Sequence, residues 1–246
     1  MDIVYICRKG DNEELRYSIR SVVKNLPESR VWVVGYKPDW YTGDFIPVED
    51  TSGKFNNIRL ALLAAANHPK VSKNFIYMND DFFLIKPIKR LKTYSGGLLS
   101  DKIDRYRQLN PTSGYVISLK KTMECLNRLG IKNPIDYDIH VPMTLNKQKL
   151  IDIAYLPFQT RSIYGNLYQI ASETITDVKR YHSGSYMSNI SYVGDKYPFI
   201  SSEDKSFDLL KDTILADMFP EPSKYEVPLA GIEPATKRLE GSYSIH

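Results

Sequence analysis

The sequence predicts an α/β fold in which a mostly parallel sheet is flanked by helices. Three observations predict it: short apolar, β-branched runs at residues 3–7, 31–34 and 75–78; amphipathic helical patterns between them; and the alternation of the two. Parallel strands joined by helical crossovers are covered on both faces, so such runs are continuously apolar rather than alternating. With 42% hydrophobic and 25% charged residues among 246, the chain can bury one substantial core.

Ile3 to Cys7 reads as the first strand. Asp11 followed by Glu14 gives a capping signal for a helix carrying Leu15, Ile19, Val22 and Leu26, which Pro27 ends. Residues 31–34 form the second strand, 45–48 a weaker third, and 55–68 a leucine- and alanine-rich helix stopped by Pro69. Residues 75–78 are the next buried strand. Further on, 115–119 is predicted as a strand, 120–129 as a helix closed by Gly130, and 150–156 as another strand. Residues 181–205, rich in Ser, Tyr and Gly, read as a long loop. Phe207, Leu210, Ile214 and Met218 restore a helical stripe, and the stretch after Pro220 reads as a tail.

Composition narrows the function classes. The amino terminus lacks a basic region followed by an apolar stretch, and nowhere do about 18 apolar residues run together, so neither a signal peptide nor membrane insertion is expected. The two cysteines, Cys7 and Cys125, support neither a disulfide framework nor a thiolate zinc site, and a cytoplasmic location is expected. A net charge of +4 suits an anionic substrate such as a nucleotide diphosphate without demanding a polyanion. The 18 tyrosines, several of them in loops, either stack on a base or sugar or pack loops onto the core.

Ligands of open α/β sheets sit beyond the carboxyl ends of the strands, which directs attention to residues 8–10, 35–37 and 79–81. There Phe75-Ile76-Tyr77-Met78-Asn79-Asp80-Asp81-Phe82-Phe83-Leu84 places two adjacent carboxylates inside an apolar run. Buried carboxylates need a cation or hydrogen-bond donors. A divalent metal, Mn²⁺ or Mg²⁺, held by Asp80 and Asp81 and completed by substrate phosphates would satisfy them, given a sharp turn after Met78. The other reading is a strand-ending turn whose aspartates cap backbone amides.

Asn12-Glu13-Glu14-Leu15-Arg16-Tyr17-Ser18-Ile19-Arg20-Ser21-Val22, then Val31-Trp32-Val33-Val34-Gly35, Pro38-Asp39-Trp40 and the run from Phe75 to Leu84 occur in an informative order. Over residues 2–90 the chain resembles the core of Stealth-type sugar-phosphate transferases and, more closely, small glycosyltransferases encoded by tailed bacteriophages. The resemblance implies a GT-A (Rossmann-like) fold, a nucleotide-sugar donor, expected to be a UDP-sugar, and a hydroxyl acceptor. Asp80 and Asp81 stand for the Asp-x-Asp metal motif, with Asn79 at its first place. Length and pattern predict a single domain over residues 1–220, with 1–90 binding the nucleotide sugar and a less regular 91–220 forming the acceptor half and lid, before a tail at 221–246.

Other candidates follow from position. Arg8 ends the first strand and can grip phosphate or stack on a base. Lys54, Asn56, Asn57 and Arg59 open the second helix, whose amino end favours anions; Asn56 would equally serve as a cap. Ser113 and Gly114 belong to a short stretch similar to the Asn-Ser-Gly element that lines donor sugars, or to a plain turn. Asp136, Asp138 and His140 alternate, so they would share one side of an extended segment, Asp138 or Asp136 acting as general base with His140 assisting. The resemblance to GT-A enzymes, which often take a third metal ligand from a late histidine, makes His182 that candidate, and Gly184 and Gly194 would hinge a closing loop. Arg16, Arg20 and Lys24 recur opposite the apolar stripe and read as a solvated face. The acceptor is expected among glycans, virion proteins and hydroxymethylated DNA bases. Sugar-phosphate transfer and a non-catalytic sugar-binding module are the alternatives.

Overall fold

The computed structural model describes residues 1–10, 12–51, 53–156, 159–180 and 196–227. The elements run β1 (Asp2–Cys7), α1 (Glu13–Asn25), β2 (Arg30–Gly35), β3 (Asp44–Pro47), α2 (Lys54–Asn67), β4 (Asn74–Met78), β5 (Phe82–Leu84) and β6 (Tyr94–Ser95). They continue with α3 (Leu99–Leu109), α4 (Gly114–Arg128), β7 (Met143–Asn146), α5 (Lys147–Asp152), α6 (Thr160–Leu167), β8 (Glu173–Thr174), β9 (Lys179–Arg180) and β10 (Phe199–Ser202). The last helix, α7 (Asp204–Leu210), runs on through a π-helical turn, Lys211–Leu215, into Ala216–Met218.

The central sheet has the order β3-β2-β1-β4-β7; the first four strands are parallel and β7 is antiparallel to β4. Successive residues of a strand face opposite sides, so Ile3 and Tyr5 join one core with Leu15, Ile19 and Val22 of α1. Val4 joins the other, with Leu62 and Ala65 of α2. Gly35 sits at φ 108, and a Cβ there would lie 2.5 Å from the Cys7 carbonyl oxygen, so only glycine lets β2 end against β1. Among the described residues, no helix is long and apolar enough to cross a membrane.

A second sheet, β5-β10-β9, stands beside the first. One edge of β5 pairs with β10, and α1 closes the other. The Ser18 hydroxyl donates to the Phe82 carbonyl and engages the Tyr5 hydroxyl at 2.9 Å. Ser21 accepts the Leu84 N–H at 2.9 Å, and Asn25 donates to the Leu84 carbonyl at 2.6 Å. These residues share one helix face and do the work of a neighbouring strand, satisfying buried backbone groups that water cannot reach. The segment after Asp81 is thereby held on both sides.

Several expectations are corrected. Residues 115–119 are not a strand but the first turns of α4: Ser113 caps the Val116 N–H at 3.2 Å, and Val116, Leu119 and Leu126 bury one helical face. Residues 150–156 are not a strand either; Asn146 caps α5, and the strand lies just before it, as β7. The stretch read as one loop contains β10 and the start of α7, because Phe199 and Ile200 are fully buried against β5. Asp11 lies outside the described residues; the N-cap of α1 is Asn12, without a side-chain cap bond, and Glu14 accepts from Ser202 instead.

The basic row on α1 is not simply a solvated face: Arg16 and Arg20 are partly buried, and the exposed Lys24 is also engaged. Arg20 holds Glu226 bidentately at 2.8 and 2.7 Å, Arg16 lies over the Trp40 ring, and Lys24 donates to the Met218 carbonyl at 2.8 Å. Tyr225 stacks on Tyr41, and its hydroxyl accepts the Val31 N–H at 3.1 Å. The beginning of the expected tail, through Val227, therefore straps α1 to the sheet; residues 228–246 lie outside the described residues.

Candidate active site

Beyond β4 the chain turns sharply, the Phe82 N–H donating to the Asn79 carbonyl at 3.3 Å, and both Asp80 and Asp81 line the cavity beyond the turn. The Asp81 side chain is buried. Its Oδ2 accepts from Lys179 Nζ at 3.1 Å and from the Ser201 hydroxyl at 3.2 Å, whereas its Oδ1 is buried without a hydrogen-bond partner among the described residues. Asp80 beside it is half-buried. Burial first, and Asp81 next, push its carboxyl up to about 6, with Arg8 pulling the other way. Glu14 reaches about 7 through burial, then through Asp80, Asp81 and Asp204.

These shifts carry a sign. Asp80 and Glu14 bind their protons more tightly folded than unfolded, so the folded chain holds more protons between the ordinary carboxylate range and about 7. Stability then falls as pH rises through that window. We expect the melting temperature, followed in buffer free of divalent ions, to drop between about pH 5 and about pH 8. A profile that is flat in metal-free buffer counts against the crowded carboxylates.

Two adjoining cavities meet at this turn. One, of about 460 Å³, opens beyond β1, β2 and β3, walled by Ile6, Val48, Ile58 and Ala61 with Arg8, Asn57 and Asp80 among its polar groups. The other, of about 890 Å³, is bounded by Tyr106, Tyr115, Gln159, Thr160 and Arg161. Lys54, Asn79, His140 and Lys179 line both. Arg8 is largely exposed, 3.8 Å from Asp204. Asn57 is tied back to Thr51 at 2.7 Å and Asp50 at 3.1 Å, and Arg59 turns to the Ala154 carbonyl. Ser113 is spent on its helix cap, and neither it nor Gly114 lines either cavity; the neighbouring Tyr115 does.

Asp136, Asp138 and His140 do not form one acid–base row, because each has a different buried partner. Asp136 is 1% exposed and sealed against Lys102 at 2.7 Å, away from both cavities. Asp138 reaches the larger cavity, yet its Oδ1 takes Arg161 Nε at 3.2 Å and its Oδ2 the Ser162 N–H at 3.0 Å. Arg161 is itself buried between the Tyr77 and Phe82 rings and donates to the Ile139 and Val141 carbonyls. His140 Nδ1 lies 2.7 Å from Asp177, whose other oxygen takes the His140 N–H at 3.1 Å. Burial opposes ionisation of Asp177, but the hydrogen bonds it takes from His140 outweigh it and hold the carboxyl well below its usual range.

His182, Gly184 and Gly194 lie outside the described residues. Among the described residues, no three His, Cys, Asp or Glu side chains gather as a complete metal-ligand set. Sequence reasoning missed Asp177, Lys179, Arg161 and Ser201. Arg161 stands in the short helix α6 and the others in short strands and turns without periodicity, and only the tertiary pairing of β9 with β10, and of β10 with β5, brings Lys179 and Ser201 to Asp81.

A parallel sheet with one antiparallel edge strand, and a carboxylate-bearing turn beyond β4, gives this chain a GT-A-type fold. It is similar to the galactosyltransferase LgtC, solved in complex with donor and acceptor sugar analogs, at 11% identity over 91% of this chain and 98% of that one, with a TM-score of 0.50. Weaker likenesses are to the glycosyltransferase GlyE of Streptococcus pneumoniae (11% identity, 81% of this chain, 53% of that one, TM-score 0.38) and mouse xyloside xylosyltransferase 1 (10%, 83%, 99%, 0.34). The fold assignment rests on the first. No protein-family model and no curated protein matches the sequence.

Proposed function

We propose that the chain is a nucleotide-sugar-dependent glycosyltransferase, its donor nucleotide in the smaller cavity and its acceptor in the larger. The observation that carries this reading is the Asp80–Asp81 turn at the junction of the two cavities, with one Asp81 oxygen buried and unpartnered. A hard divalent cation fits that donor set, since a buried carboxylate oxygen without a partner and a neighbour with a raised pKa are what such an ion relieves. Asp80 and Asp81 would hold Mn²⁺ or Mg²⁺, donor phosphates completing the coordination, and the ion would supply charge neutralisation for the departing diphosphate.

The chain's own residues do the rest. Lys54, in the first turn of α2, and Arg8 offer positive charge along the smaller cavity, and a UDP-sugar is the donor we would try first. Asp177 fixes Nδ1 of His140 as the protonated nitrogen, leaving Nε2 to take the proton of an acceptor hydroxyl. As that oxygen bonds to the anomeric carbon, the bond to the diphosphate breaks with its electron pair on the leaving oxygen. Among the acceptors considered, a glycan fits best. Tyr106 and Tyr115 offer amphipathic ring surface, and the wall mixes Lys54 and Lys205 with Glu203 and Asp204, which suits hydroxyls better than the phosphates of DNA.

The test is incubation of the full chain with a panel of nucleotide sugars and a glycan acceptor mixture, with Mn²⁺. Release of nucleoside diphosphate supports glycosyl transfer; release of monophosphate signals sugar-phosphate transfer. Release of neither, with donor still bound, marks a binding module. DNA containing hydroxymethylcytosine, offered at two salt concentrations, competes with the glycan reading if it binds with a steep salt dependence and stimulates turnover.

A further inference from the structure

We propose that Lys179 is a built-in counter-ion for Asp81 that changes partner when metal and donor arrive, moving its ammonium onto the leaving diphosphate. The proposal rests on the glycosyltransferase reading and assigns a role within it to a residue the sequence did not single out. Three observations carry it.

The first is the unequal state of the two Asp81 oxygens. Oδ2 has Lys179 at 3.1 Å and the Ser201 hydroxyl at 3.2 Å, while the buried Oδ1 has no partner among the described residues. The ammonium at 3.1 Å offsets the charge of the Asp81 carboxylate through one oxygen only. The open Oδ1 still asks for a second cation. A divalent ion placed there would share the carboxylate with an ammonium, and the two repel at that range.

The second is where the lysine stands. Its backbone N–H is held by Asp177 Oδ1 at 3.3 Å and its strand pairs with Ser201 and Ser202 of β10, so the backbone is fixed. Only the flexible stem can respond, and a lysine stem with a three-donor head is suited to changing partners. The third is where that head can go. Lys179 lines both cavities together with Asn79 and His140, the junction at which a donor's diphosphate would lie between its nucleoside and its sugar. The other side chains there that bear on its charge are Glu14, Asp80 and Asp204, already crowded, and Arg8 and Lys54 on the opposite wall. An incoming diphosphate is thus the natural new partner for a cation displaced from Asp81, and metal and diphosphate should each favour the other's binding.

The experiment uses the full chain, Lys179→Met, which keeps the stem without the charge, and Lys179→Arg. Mn²⁺ binding without nucleotide is read by electron paramagnetic resonance of the free ion, and UDP binding with and without Mn²⁺ by calorimetry. Lys179→Met should bind Mn²⁺ alone about fivefold more tightly, and UDP in the presence of Mn²⁺ about tenfold more weakly, with Lys179→Arg close to the parent. Weaker Mn²⁺ binding by Lys179→Met, or unchanged UDP affinity, overturns the exchange. If the parent chain binds Mn²⁺ and UDP but Lys179→Met matches it, only this proposal falls. If the parent binds neither, the glycosyltransferase reading falls with it. Should Lys179→Met fail to fold, Lys179→Gln is read by the same two binding measurements.

Discussion

Asp81→Asn should reduce glycosyl transfer by about 10³-fold or more while leaving the fold intact, because it removes the charge that a divalent ion would bind and keeps the shape. The geometry separates the two effects. In the parent chain the carboxylate is incompletely paired, with Oδ1 buried and unpartnered, so removing its charge costs the fold little. The amide retains an oxygen for the Ser201 hydroxyl, and Lys179, which loses its ionic partner, lines both cavities rather than the closed core. Turnover and a thermal melt on the same preparation check this: activity should be lost with a melting temperature within a few degrees of the parent. Full activity of the parent chain in EDTA would contradict the metal role, and collapse of the variant would contradict the claim that this site is not a folding element.

The second large effect distinguishes two neighbouring residues that the sequence placed in one row. Asp138→Asn should cost about 3–5 kcal/mol of stability, since it leaves the Arg161 guanidinium buried without its counter-charge. His140→Gln should instead lower turnover by about 10²-fold or more with little change in donor affinity, because a positioned base acts mainly in the transition state. Asp177→Asn should follow His140→Gln, since an amide no longer demands the Nδ1 proton. The measurements are kcat, donor affinity and thermal stability for the three variants together with the anomeric configuration of the product. A stable Asp138→Asn chain with lost turnover would return the base to Asp138, and retention of configuration would exclude an inverting base at either residue.

What the sequence by itself determined were the features set by local pattern. The apolar runs of β1, β2 and β4 and the stripe of Leu15, Ile19 and Val22 are written in periodicity, and they place residues 79–81 beyond the end of a parallel strand, where α/β sheets bind ligands. The Asp80–Asp81 pair was visible for the same reason, since two carboxylates inside an apolar run cannot be explained by burial alone. The short elements were not legible. The first turns of α4, rich in β-branched residues, imitate a strand, and β7 and β10 are only four residues each, too brief to show a period. Only the tertiary structure decided the partners: Lys179 and Ser201 for Asp81, Arg161 for Asp138, Asp177 for His140, and Glu226 for the basic row of α1. Those pairs join residues from 23 to 206 positions apart, and a charge buried in a core is satisfied by whatever the fold brings beside it, which local sequence does not encode.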